Sequence, residues 1–228
     1  MVYKFYYIVN NTYGHSTDYS NWNRWYFYKW FKAKGYTKAA TAGIWGNIVA
    51  ESSGGNPGQV EYGQTIPSYD SQGIPSSDNY RGGFGWIQWT NTSATSNALL
   101  RYSIDNNIAW YNGLLQCRLI HHEFDTRSWI PTSSYPYSGN EFKVLTNYET
   151  ATKAYFYERE RGTWSDARLN GAQAFMNTNF NKKPSEPTDP TLSYTIGEDS
   201  GSDTNGLYYW KHKIWNPYFG FTLGYRKR

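Results

Sequence analysis

Cysteine is almost absent from this chain, with one residue, Cys117, in 228. One thiol cannot close an intramolecular disulfide, so the fold must rest on packing. Charge of either sign is thin: 22 Lys and Arg stand against 18 Asp and Glu, a net of +4. That excess would favour approach to an anionic polymer. It forms no dense basic stripe, however, so nucleic acid is not expected as a partner. Long apolar runs are missing too, and none approaches the ~20 residues that span a bilayer, so no membrane partner is expected. The stretch Met1 to Asn10 has apolar residues but not the small-residue cleavage site of an export signal. No internal repeat is visible. Histidines are few, and the pair His121-His122 diverges on a helix by about a hundred degrees. With no HExxH-like spacing, neither a metal nor an organic cofactor is expected.

Aromatic residues are abundant. Eleven Trp and twenty-three Tyr lift the aromatic share to 20%. Rings with polar edges suit sugars, whose faces stack on them while hydroxyls bond nearby polar groups. For any single Tyr, ordinary core packing is the simpler role.

The organising stretch is Thr37 to Gly55, TKAATAGIWGNIVAESSGG. Thr37 is a good N-cap, Lys38 to Ala50 reads as helix, and Gly54-Gly55 stops it. Ile44, Ile48 and Glu51 are spaced by four and three, which places the helix's one acid on its apolar stripe. A carboxyl emerging there loses water and is expected to favour its neutral, proton-donating form. A general acid for glycoside cleavage needs that form. The plainer alternative is a last-turn glutamate pointing to solvent. Thirty residues on comes Gly82 to Thr90, GGFGWIQWT, where glycines clear space for close approach of a backbone or ligand.

Together these segments resemble the phage tail lysozyme family. The resemblance rests on Gly43 to Pro57, a helix ending in Glu-Ser followed by an Asn-Pro loop. It rests also on Gly83-Phe-Gly-Trp-Ile-Gln-Trp-Thr90 and on Ala154-Tyr-Phe-Tyr-Glu-Arg-Glu-Arg161, similar to the family's aromatic-x-Glu-Arg element. It covers roughly Tyr26 to Thr178. That family belongs to the lysozyme-like superfamily, which includes lytic transglycosylases. The implied fold is mainly α (α+β), a lysozyme-like helical bundle around a central catalytic helix with an irregular or β-hairpin lobe. The implied activity is cleavage of the peptidoglycan β-1,4 bond between N-acetylmuramic acid and N-acetylglucosamine. The implied home is the phage tail, with action on the host cell wall.

On that resemblance Glu51 is the acid, and Gln88 bonds substrate or positions water. Glu61 ranks first among the loop acids Glu61, Asp70 and Asp78 as a second carboxylate. Ser52, Tyr80, Trp86, Trp89, Tyr157 and Glu158 would line the glycan groove, although one of the two Trp is expected in the core. For Glu158 a structural ion pair is an equal alternative. Three outcomes stay open after protonation: a carboxylate nucleophile, a carboxylate that activates water, or internal attack by the muramic 6-hydroxyl as in lytic transglycosylases. A non-catalytic glycan-binding module on the same frame is a further alternative. A peptidase built on Cys117 and His121 is disfavoured, because the two are one helical turn apart.

Along the chain, the expected helices are Asp18 to Lys34, Asn107 to Phe124, one or two within Glu141 to Arg161, and one from Ser165 to Asn177. Residues 1–19 read as an arm or edge strand, 20–178 as the catalytic domain, 179–205 as a Pro-, Ser- and acid-rich linker, and 206–228 as an aromatic docking segment. The terminal segments are the natural contacts to other tail proteins.

Overall fold

The computed structural model describes residues 1–12, 18–90 and 96–198. Its described residues form seven α-helices and a small antiparallel sheet. In order these are β1 (Val2–Tyr7), α1 (Asp18–Ala33), α2 (Lys38–Glu51), α3 (Ala98–Asn106), α4 (Gly113–Glu123), α5 (Gly139–Lys143), α6 (Tyr148–Tyr155), α7 (Ala167–Met176) and β2 (Ser193–Glu198). A five-residue π-helical segment, Phe156–Glu160, continues α6.

Helix α2 is the axis of the bundle. Thr37 caps it, its hydroxyl accepting from Ala40 N at 3.0 Å. From Ala39 to Ile48 every residue is buried, so the helix is enclosed on all sides, not on one stripe. Helices α1, α6 and α7 pack around it. Gly43 and Gly46 make this approach available: a Cβ on either would collide with the backbone of Ala151 or Arg168. Past Glu51 the chain turns through Ser53, Gly54 and Gly55, all at positive φ, and the helix ends.

The segment from Ser52 to Thr90 carries no regular element. It is joined by isolated bridges, Val60 to Phe84 and Phe84 to Trp89. An irregular lobe cannot satisfy its own backbone groups, so buried amide side chains do it instead. Asn56 Oδ1 accepts from Ile8 N at 3.1 Å and Gly58 N at 3.0 Å. Asn23 Nδ2 donates to Tyr6 O at 2.8 Å and Gly55 O at 3.1 Å. Gln116 Nε2 donates to Pro57 O at 2.7 Å and Trp110 O at 2.9 Å, while its Oε1 accepts from Trp86 N at 2.9 Å. These ties fix lobe, arm and bundle as one body.

Two expectations are revised. The helix expected from Asn107 to Phe124 starts only at Gly113, because Asn107 adopts a left-handed conformation that closes α3 and Asn112 caps α4. Within the stretch read as linker, Ser193–Glu198 pairs antiparallel with Val2–Tyr7, Val2 opposite Glu198 and Tyr7 opposite Ser193. The N-terminal arm is thereby an edge strand of the body itself, and Tyr3, Phe5 and Tyr6 are buried. The proposed docking segment 206–228 lies outside the described residues.

Candidate active site

Glu51 stands where α2 leaves the core, and 28% of its side chain remains exposed. The expectation of an acid desolvated on an apolar stripe does not describe it. Its carboxylate is ion-paired with Arg168 of α7, Nη2 donating to Oε1. Arg168 is itself buried and is held by two further contacts. Its Nη1 donates to Asn47 Oδ1 at 2.9 Å, and the guanidinium lies 4.6 Å from the centre of the Phe156 ring. Asn47 Nδ2 also donates to Gly43 O at 2.8 Å and Thr152 O at 3.1 Å, so one amide ties α2 to α6 and, through Arg168, to α7.

Behind this pair lies a second one. Glu123 of α4 takes a bidentate grip from Arg159, with Nε to Oε2 and Nη2 to Oε1 both at 2.8 Å, and accepts from Trp89 Nε1 at 2.9 Å. Desolvation opposes the charge on Arg159, but Glu123 outweighs it and raises the guanidinium's pKa. The charges of both pairs act on the Glu160 carboxyl. Burial pushes it up to about 8; the Arg159 and Arg168 charges lower it, and the Glu51 and Glu123 charges raise it. Its Oε1 and the Nε of Arg168 are both buried, and neither has a hydrogen-bond partner among the described residues.

Next to Phe156 the surface is aromatic. The Trp164 ring packs edge-on against Phe156 at 5.3 Å and lies nearly parallel to Tyr157, 10° apart with centroids at 6.1 Å. Tyr157 in turn is parallel to Tyr135, 6° apart at 5.4 Å. Tyr157 is exposed, and the contacts Glu51–Arg168–Phe156–Trp164 link this ladder to the acid without a break.

The other expected site residues take varied places. Glu61 Oε2 accepts from Gly83 N at 2.8 Å, tying the two halves of the lobe. Gln88 sits in a left-handed turn, φ 50°, and its Nε2 donates to Gly85 O at 2.7 Å and Gln59 O at 3.4 Å. Tyr80 is half-buried, and its hydroxyl accepts from Ser68 N at 2.9 Å. Ser52 is fully buried, its hydroxyl committed to Ile48 O at 2.7 Å. Both Trp86 and Trp89 are buried, Trp86 against Phe5 and Phe27 with Nε1 bonded to Gly55 O at 2.8 Å. Neither presents a ring face to a sugar. Glu158 is fully enclosed, so it does not front an open groove and has no ion pair among the described residues. Burial pushes it up to about 8, against backbone N–H donors from Tyr137 and Thr132. An ion pair is made one residue later, by Arg159, but it reaches Glu123 of α4 and not the central helix.

Cys117 is buried in α4, and His121 meets the Tyr36 hydroxyl through Nδ1 at 2.9 Å. Among the described residues no group of His, Cys, Asp and Glu converges as a metal site would, and no helix is long and apolar enough to cross a membrane.

Reading the sequence missed Arg168, Glu160, Tyr135 and Trp164. Arg168 carried a usable signal: with Ala172 and Phe175 it repeats the four-three spacing of Ile44, Ile48 and Glu51, a lone charge on an apolar stripe.

Among curated proteins none matches this chain. The family model for phage tail lysozyme matches residues 22–178, more than half of the length and the whole of the bundle from α1 to α7 apart from the first turn of α1. With its helical bundle, its central helix ending in Glu51-Ser52 and its irregular lobe, the chain belongs to the phage tail lysozyme family.

Proposed function

We propose that this protein degrades peptidoglycan by cutting the β-1,4 bond between N-acetylmuramic acid and N-acetylglucosamine, with Glu51 protonating the leaving oxygen. The observation that carries the reading is the position of Glu51: the partly exposed acid at the end of the buried central helix, joined through Arg168 and Phe156 to an aromatic ladder in which Tyr157 is exposed. Tyr157, Trp164 and Tyr135 offer faces on which pyranose rings stack. Gln88, held rigidly in its left-handed turn, is the polar group we assign to substrate or water.

Bond cleavage through an oxocarbenium-like state leaves the sugar to be captured. Glu61 remains the second carboxylate we assign, its free oxygen available while the other accepts from Gly83 N. A separation of roughly 5 Å from the acid suits a nucleophile and roughly 6.5–9.5 Å a base for water. Without such a group the muramic 6-hydroxyl closes internally, and the product is lighter by one water. We place the protein on the phage tail as a wall-opening lysin, with the terminal segments, residues 206–228 among them, as the contact to other tail proteins.

One observation favours the alternative of a non-catalytic glycan-binding module: Glu51 is ion-paired with the buried Arg168 instead of standing unpaired on an apolar face. Digesting purified peptidoglycan with wild type and Glu51→Gln, and weighing the released muropeptides, separates the readings. Reducing-end products that fall by about 10²-fold or more in the variant are expected. Anhydro products would remove Glu61 from the mechanism, and binding without release by either protein would establish the module.

A further inference from the structure

The net charge of +4 is small, but the fold does not spread it evenly. Trp25, Tyr28, Lys29 and Lys32 of α1 are spaced as neighbours on one helical face, and each is at least partly exposed. The segment that follows α7 packs against that face. The Phe180 ring lies 4.1 Å from Tyr28, and Lys183 Nζ stands 4.5 Å from the centre of Trp22, 5.4 Å from Tyr26 and 5.8 Å from Trp25. The same rings carry Lys29 at 5.0 Å from Trp25, Lys32 at 5.9 Å from Tyr28 and Lys38 at 5.3 Å from Phe180. Lys38 Nζ also donates to Thr178 O at 3.1 Å, which holds the segment in place.

Four ammonium groups far apart in sequence thus share one aromatic patch. Among the described residues none of them is in an ion pair. Acids are scarce around them: Asp18 is the one acid between residues 18 and 50, and residues 167–185 contain none. Glu186, just beyond, is engaged by Lys4 and Tyr6. A ring face attracts an ammonium without cancelling its charge, so the field of all four remains available to an anion.

We propose that this face is a second wall-binding surface, which holds the phosphodiester-linked anionic polymer of the cell wall while Glu51 acts on the glycan. The proposal rests on the wall as the target. Charge complementarity selects the ligand class, and the choice of cation narrows it. All four groups are lysines, point charges that answer a phosphate without demanding the planar, two-pronged fit of an arginine. That suits a flexible chain of repeated phosphates. A protein partner fits less well, since lysine is depleted from the centres of protein interfaces and arginine enriched there. From the Trp22 ring under Lys183 to Lys32 the patch follows ten residues of α1, about 15 Å, long enough to meet several charges of one polymer chain. Lys38 opens α2 and Glu51 closes it, about 20 Å along the helix, so a wall held here leaves the acid free.

The test is sedimentation of the whole chain with Gram-positive cell walls, either intact or freed of their phosphodiester polymer by cold hydrofluoric acid. It compares Lys29→Gln/Lys32→Gln/Lys183→Gln with the unaltered patch, both in a Glu51→Gln background so that the walls persist. The unaltered patch should bind intact walls about tenfold or more tighter than stripped ones. That binding should weaken about tenfold or more between about 50 and about 200 mM salt, as counter-ion release requires. The triple variant should bind both walls as weakly as the unaltered patch binds stripped walls. With Glu51 restored, it should cut soluble peptidoglycan fragments within about twofold of the wild-type rate. Equal binding of the unaltered patch to the two walls overturns the proposal. So does a triple variant that still prefers intact walls, the result expected if the face serves another tail protein. Duplex DNA bound more tightly than a glycerol-phosphate polymer at equal salt assigns the face to nucleic acid and overturns it as well. Failure of the wild type to cut soluble fragments overturns the glycosidase reading alone, because polymer binding is measured without turnover.

Discussion

At the scale of single residues, what distinguishes this site is the company its acids keep. Glu51 has an arginine and partial access to water; Glu160 has one buried, unpartnered oxygen and opposing charges; Glu158 has enclosure and only backbone donors. Glu158 gives a test free of any assumption about catalysis. Its folded-state pKa of about 8 lies above the ordinary value of 4.5. Below 4.5 both folded and unfolded forms hold the proton. Between there and about 8 the unfolded chain releases it while the folded one keeps it, so stability falls as pH rises. Glu158→Gln, neutral at every pH, should remove that share of the slope and melt higher than wild type at mildly alkaline pH, with little difference in acid. Thermal unfolding across the range measures it; parallel curves for the two proteins would show that Glu158 does not titrate in this window.

Between elements, the site exists because helices come unusually close. Gly46 lies against the Arg168 backbone and Ala172, where a methyl group has no room. Gly46→Ala therefore sets two effects against each other. Helix propensity favours alanine by about 1 kcal/mol. Overpacking against an unyielding backbone costs about 1–3 kcal/mol, and that sum does not yet include the displacement of α7. We expect a lower denaturant midpoint together with a larger fall in glycan release than the stability loss explains, because α7 carries Arg168. A stabilised, fully active variant would show that α7 can shift freely. The π-helical turn of Phe156–Glu160 works at this scale also. It carries buried Glu158, exposed Tyr157 and the buried Oε1 of Glu160 within one short segment, and such turns often mark functional sites.

Across the described residues, the two ends are stitched together by β1 and β2. Lys4 and Tyr6 both reach Glu186, and Tyr6 packs on Tyr194 at 5.6 Å. Among the described residues, none that we assign to the site lies in this part of the chain. A chain ending at Lys183 should therefore lose about 2–4 kcal/mol, since net ladder bonds of about 1 kcal/mol each are offset by the ordering they require. Below its melting transition it should still release muropeptides at the wild-type rate, measured at equal folded concentration. Loss of release in a folded truncated chain would bring the C-terminal segment into the site.

Much of this molecule was legible in advance because it is encoded locally. Thr37, the apolar core of α2, and the Glu51-Ser52 terminus follow from capping and periodicity within one helix, and the motifs that mark the family lie in short contiguous stretches. What stayed hidden depends on partners distant in sequence. Whether Trp86 meets sugar or core is decided by Phe5 and Phe27, and the pairing of β1 with β2 joins residues almost at opposite ends of the described chain. The partner of Glu51 lies on a helix more than a hundred residues away. The sequence alone determined where the acid would stand, because a helix carries its own start, stop and spacing. Only the tertiary structure decided which charge answers it, because a buried charge is matched by whatever the packed chain brings within reach.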